Sequence, residues 1–130
     1  MLQDENRLTK VRDFNLLMAK GGWFNSVNFS LRALDLEKNQ NVFPPKEDKE
    51  TFAKQLRVGF TVGLKLSKSA VKRNRVKRQM REVVRLLIKE GKIKPGYYFL
   101  FVAKAGAISL GYAQIEAQIL ELLNKTRCLL

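Results

Sequence analysis

The chain has 130 residues, 45% of them hydrophobic, a single cysteine (Cys128), no histidine and a formal net charge of +13. That length builds one domain around its own core. The missing histidine and lone cysteine exclude an internal disulfide, Cys/His zinc sites and every histidine-based acid–base or nucleophile scheme.

Residues 9–20 read as a short helix opened by Thr9 as N-cap, with Val11, Phe14, Leu17 and Met18 on one side, and the Gly21-Gly22 pair ends it. From Val27 the pattern becomes alternation: Val27, Phe29, Leu31 and Ala33 face one way, Ser26, Asn28, Ser30 and Arg32 the other, as in a half-buried strand. Residues 35–55 are polar, contain Pro44-Pro45 and follow neither period, which predicts a long mobile excursion between strands. The clearest strand follows, with Leu56, Val58, Phe60, Val62, Leu64 and Leu66 alternating with Arg57, Gly59, Thr61, Gly63 and Lys65. A glycine within a strand marks either close approach by another group or a bulge.

Ser67 or Ser69 caps the next helix, which runs to about Glu90 before Gly91 and a turn at Pro95-Gly96. On a helical wheel, Val76, Met80, Val83, Val84, Leu87 and Ile88 gather on one side, with Asn74, Arg78, Arg81, Arg85 and Lys89 opposite. Residues 97–103 form a continuous apolar run, the mark of a buried central strand. Ser109 caps a last helix striped by Tyr112, Ile115, Ile119, Leu122 and Leu123. The predicted order is α-β-β-α-β-α, an α/β (α+β) sandwich in which helices cover a small sheet.

Charge gives the functional direction. Positions 54 to 94 hold fourteen Lys or Arg against Glu82 and Glu90, so this stretch carries 14 − 2 = +12 of the +13. A solubilising surface mixes signs, whereas a block of one sign suits a phosphate backbone. The apolar runs are too short to span a bilayer and the start, Met1-Leu2-Gln3-Asp4-Glu5-Asn6, lacks signal-peptide order, so a cytoplasmic protein with no membrane partner is expected. A nucleic-acid-binding domain fits best. A ribosomal or other structural RNA-binding protein is the alternative from a different class, and a membrane-surface helix or an autonomous nuclease fits less well.

The run Arg73-Asn74-Arg75-Val76-Lys77-Arg78 with Arg81-Glu82, placed after Leu56-Arg57-Val58-Gly59-Phe60-Thr61-Val62, resembles the protein subunit of bacterial ribonuclease P. The likeness extends to Asn6-Arg7-Leu8, Asp13-Phe14, residues 99–104 and Arg127-Cys128, leaving only an insertion at about 37–54 outside it. It implies a single domain over 1–130, a two-layer sandwich with a left-handed βαβ crossover, and a protein that binds a catalytic RNA and the 5′ leader of precursor tRNA. Cleavage chemistry would then come from Mg2+ held by the RNA, with no catalytic or metal-binding side chain on this chain and no further protein partner required.

The resemblance also assigns surfaces. Arg73, Asn74, Arg75, Lys77, Arg78 and Arg81 match the signature that faces the catalytic RNA, Lys65, Lys68 and Lys72 match its basic approach, and Arg85 extends the same helix face. Phe14, Ser30, Arg32, Thr61 and Gly63 match the cleft for the precursor leader, although by spacing alone Phe14 is equally a core residue. Three positions depart from the family: Met18 and Arg32 stand where relatives often carry aromatics, and Leu64 stands where lysine is common, so guanidinium stacking or phosphate contact would partly replace base stacking.

Overall fold

β2 (Phe29–Asp35) and β4 (Tyr97–Ala103) lie antiparallel at the centre of a mixed four-stranded sheet. β1 (Gly22–Asn25) adds antiparallel to β2, and β3 (Leu56–Thr61) adds parallel to β4, giving the order β1-β2-β4-β3. The computed structural model describes residues 2–42, 48–63 and 65–129. α1 (Val11–Lys20) precedes β1, the one-turn α2 (Lys49–Phe52) precedes β3, α3 (Ala70–Lys89) joins β3 to β4, and α4 (Tyr112–Lys125) follows β4.

Strand alternation puts Phe29, Leu31, Ala33, Val58, Phe99 and Phe101 on one face. Against it pack the stripes of α3 (Val76, Met80, Val83, Val84, Leu87) and α4 (Ile115, Ile119, Leu122, Leu123) in one buried cluster. The opposite face is covered at one end only, where Leu17 of α1 and Phe52 of α2 pack on Leu34, Leu36, Tyr98 and Leu100. Beneath α1 lies buried Asp13, with Arg12 Nε 3.2 Å and Arg57 Nε 3.9 Å from its carboxylate. Arg57 also donates to the Arg7 carbonyl. These contacts fix how α1 meets the sheet.

The structure departs from the sequence reading in several places. α1 starts at Val11 with Lys10 at its N-cap and no side-chain cap, because the segment before it is held extended on the β3 edge by a bridge between Arg7 and Val58 and by Leu8 N–H donating to Val58 O at 3.1 Å. Of the predicted apolar side of α1 only Leu17 is buried; Val11, Phe14 and Met18 are exposed, and Asp13 goes inward instead. An additional strand, β1, precedes β2, so Val27 is not a strand residue but sits 81% exposed at the hairpin tip. Within 37–54, residues Glu37–Val42 form two short 3-10 turns kinked at Asn39, and Phe52 of α2 is buried edge-on against Tyr98. The last helix begins at Tyr112 rather than after Ser109, which belongs to a separate 3-10 turn. Pro44-Pro45 and Leu64 lie outside the described residues.

Two glycines show why a side chain is missing. A Cβ at Gly21 would stand 2.6 Å from Leu17 O and 3.0 Å from Ala33 O, so the exit of α1 fits against β2 only without one. At Gly59 a Cβ would meet Leu100 at 3.2 Å and Leu8 at 3.4 Å, which makes close approach the explanation there. Gly63 lies beyond β3 with nothing within 4 Å of a Cβ.

Candidate nucleic-acid interface

α3 is helical over twenty residues because Ser69 caps it, accepting from Lys72 N–H at 3.3 Å, and because neither Gly nor Pro interrupts it. Its buried stripe orients everything else. The six-residue signature divides by direction: Arg73 donates from Nη1 to Ser67 O at 2.7 Å, folding back on the loop before the helix. Arg75 reaches the other way, donating to Leu110 O at 3.2 Å, to Ile108 O and to Gln79 Oε1 at 3.3 Å. Both guanidinium groups are thus engaged with the protein's own loops. Asn74, Lys77, Arg78 and Arg81 instead surround one shallow depression beside exposed Val71. None of the side-chain hydrogen bonds or ion pairs among the described residues engages Lys77, Arg78 or Arg81.

Lys65, Lys68 and Lys72 are exposed around the entry to α3. Arg85 is bidentate to Glu82, at 3.0 and 2.6 Å, and that hydrogen bond holds the Glu82 carboxyl below its usual range and raises Arg85. Arg85 therefore offers a partly neutralised charge. On the other flank, Lys77 and Arg81 line a groove of about 360 Å³ with Gly59 and Phe60 of β3 and with Arg7, Leu8 and Thr9 of the segment leading into α1. The edge of β3 connects the basic helix to the opposite face of the sheet.

On that opposite face the register builds two rows. Trp23, Arg32, Leu100 and Gly59 face one another across the four strands, and Asn25, Ser30, Val102 and Thr61 form the next row. Four of the five predicted cleft residues belong to this region: Ser30, Arg32 and Thr61 from the sheet, and Phe14, 41% exposed, from α1 above it. Gly63 lies past the strand end. Ser30 is nearly buried, its hydroxyl donating to Asn25 Oδ1 at 2.8 Å. Arg32 donates from Nη2 to Met18 O at 2.5 Å and from Nε to Leu17 O at 3.5 Å, so its fork ties the end of α1 to β2. Its guanidinium carbon lies 4.9 Å from the centre of the Trp23 ring.

Sequence reasoning missed Trp23 and Asn25, whose placement depends on recognising β1. The signal was present only as an aromatic pair after the Gly-Gly break. Among the described residues no group of three or more His, Cys, Asp or Glu is placed to hold a metal ion, and no helix is long and apolar enough to cross a membrane.

A family model described as Ribonuclease P matches residues 2–127. The ribonuclease P protein component of Alkaliphilus metalliredigens is 32% identical over 126 residues, covering 97% of each chain. That of a Cyanothece species is 29% identical over 130 residues, covering 99% of this chain and 98% of the relative. A Synechococcus counterpart reaches 46% over 68 residues, which is 52% of this chain and 50% of the relative. Among solved structures, the RNase P protein of Staphylococcus aureus superposes with a TM-score of 0.70 at 22% identity, covering 94% of this chain and 95% of that one. The Thermotoga maritima protein gives 0.66 at 22%, covering 92% and 96%. At that identity the solved structures show the fold, while the family comes from the sequence matches. Spanned almost entirely by the family model and by two of these relatives, the chain belongs to the ribonuclease P protein family, as a subunit of an endoribonuclease whose catalysis is by RNA.

Proposed function

We propose that the chain holds the catalytic RNA on α3 and the 5′ leader of precursor tRNA on the partly open face of the sheet, assisting removal of the leader in the cytoplasm. Asn74, Lys77, Arg78 and Arg81 supply the RNA-subunit contact, with Lys65, Lys68 and Lys72 approaching it and Arg73, Arg75 and Arg85 shaping it. Phe14, Arg32 and Thr61 form the leader surface, with Ser30 in its floor and Gly63 at its exit. Magnesium ions held by the RNA supply the cleavage chemistry, and no other protein is required.

The observation that carries this reading is the shared groove at the β3 edge, where Lys77 and Arg81 of the basic helix meet Gly59, on the row with Arg32. One continuous strip of surface lets an RNA subunit and a substrate strand be held side by side. The test is precursor tRNA cleavage at low magnesium: the protein alone should leave the substrate intact, and adding it to the cognate catalytic RNA should stimulate cleavage. Magnesium-dependent cleavage by RNA-free protein would overturn the reading.

A further inference from the structure

Trp23 is the only tryptophan in the chain and stands on an edge strand, yet 49% of its surface is exposed. In the β1–β2 register it pairs with Arg32, so the two side chains leave the sheet on the same face. Phe24, the next residue, turns the other way and packs against the main core. Hydrophobic burial therefore explains Phe24 and not Trp23.

Arg32 explains how Trp23 is held. Its fork is pinned to Met18 O and Leu17 O, the carbonyl end of α1, where the helix dipole favours a cation. The guanidinium so fixed lies against the indole at 4.9 Å, within the range of a cation–π contact, for which tryptophan is the best aromatic partner. To grasp a phosphate through the same donors Arg32 would have to release α1. The flat surface available to a ligand here is the indole, braced from behind by a charged plate.

The neighbouring groups are those of a single-strand RNA floor. Asn25 and Thr61 are exposed polar residues on the next row, and strands about 4.8 Å apart make the floor roughly 14 Å wide from β1 to β3. Stacking of unpaired bases on aromatic side chains in a basic protein is the usual way such strands are held.

We propose that Trp23 is a base-stacking platform for the single-stranded leader and that Arg32 is a positioning residue that orients the indole, not a phosphate ligand. This rests on the assignment of the leader to this face.

Because Trp23 is the sole tryptophan, its emission reports on the site directly in the assembled holoenzyme. Precursor tRNA with a leader should quench it, and mature tRNA should not. Trp23→Ala should weaken precursor binding by about tenfold relative to mature tRNA, the scale of one lost base stack, while Trp23→Phe keeps most of the affinity. Arg32→Gln should shift the emission of the free protein and reduce the quench by precursor with mature tRNA binding unchanged. Thermal melts show whether each variant is folded; if Trp23→Ala is not, the proposal stands or falls on the quench of the native Trp23 emission, which needs no substitution. Equal quenching by precursor and mature tRNA, or full quenching by the catalytic RNA alone, overturns the proposal. So does native precursor affinity in Trp23→Ala when Phe14→Ala still loses leader-specific binding, an outcome that leaves the leader face standing. If neither variant distinguishes precursor from mature tRNA, the leader assignment itself falls. An unchanged emission in Arg32→Gln removes the positioning role.

Discussion

Arg75→Ala and Arg78→Ala should separate stability from RNA binding within one helical turn. Arg75 gives hydrogen bonds to two loop carbonyls, Ile108 O and Leu110 O, and to Gln79 on its own helix. Hydrogen bonds from a charged donor contribute about 1.5 to 3 kcal/mol each when buried, but this side chain is half-buried and the freed carbonyls can take water, so the total loss is set at about 2 kcal/mol. With an unfolding entropy near 2.1 cal/mol/K per residue, 130 residues give about 0.27 kcal/mol/K, and 2 kcal/mol lowers Tm by roughly 7 °C. Arg78 has no such partner among the described residues, and Arg78→Ala should leave Tm within about 2 °C, as for a surface substitution. Its cost falls on the catalytic RNA instead, about 1 to 2 kcal/mol or 5- to 30-fold, with the slope of log K against log salt flattened by roughly one unit. Circular-dichroism melts and filter binding across a salt series measure both quantities. A native Tm for Arg75→Ala together with a flattened salt slope would refute the division, since it would mean that Arg75 leaves its loop to meet RNA.

Phe14→Ala should cost about 1 to 3 kcal/mol in binding of leader-bearing precursor tRNA to the holoenzyme and nothing with mature tRNA, and because Phe14 is 41% exposed its Tm should barely move. Equal loss for both tRNAs, or a collapsed melt, would remove Phe14 from the leader surface and make its role structural. Gly21→Ala should destabilise by about 2 to 3 kcal/mol, since the new methyl meets backbone oxygen of both α1 and β2, and it should also weaken precursor binding by shifting α1; a native melt would contradict the close approach. Burial, and secondarily the charge of Asp13, pushes the Tyr98 hydroxyl well above its ordinary pKa. A raised phenol adds stability in full below the unfolded value near 10 and loses it as pH rises, so alkaline unfolding should precede ionisation of Tyr98 in an ultraviolet titration. Tyr98→Phe should cost only about 1 kcal/mol, because Gln55 Oε1 keeps a second donor, Arg57 Nε at 3.2 Å.

The long elements were legible because each carries many repeats of one period. α3 holds its stripe over twenty residues, β4 is apolar throughout, and α4 repeats Ile115, Ile119, Leu122 and Leu123. β1 was not legible, since Gly-Trp-Phe-Asn is too short to establish alternation and its pairing with β2 closes through a turn at residues 26–28. There Ser26 N–H donates to Phe29 O and Asn28 N–H to Gln118 Oε1, ninety residues away. α1 misled for a related reason: its apolar spacing suggested a core face, but the ion pairs of Asp13 turn that face partly outward. The basic character of α3 was plain from the charge count, whereas which arginines point outward depends on carbonyls in loops that no local pattern specifies.

The spacing of the signature nevertheless accounts for how it divides. Residues two apart on a helix differ by about 200°, so Arg73 and Arg75 leave α3 on opposite flanks of the buried stripe. One reaches the loop before the helix at Ser67, and the other reaches the loop after β4 at 108–110. Asn74 lies between them and points away from the core, on the side continued by Arg78 and Arg81 at helical spacing. Two arginines thus brace the helix laterally while the residues between and after them remain available for a polyanion. A lysine at 75 would keep the charge and has donors enough, but they sit on one nitrogen at the end of a flexible stem, so it would match less well the two carbonyls that Arg75 spans from Nη1 and Nη2. The preference for arginine at 75 therefore has a source in the fold itself, and the positions where lysine and arginine should exchange with least damage to folding are 77, 78 and 81.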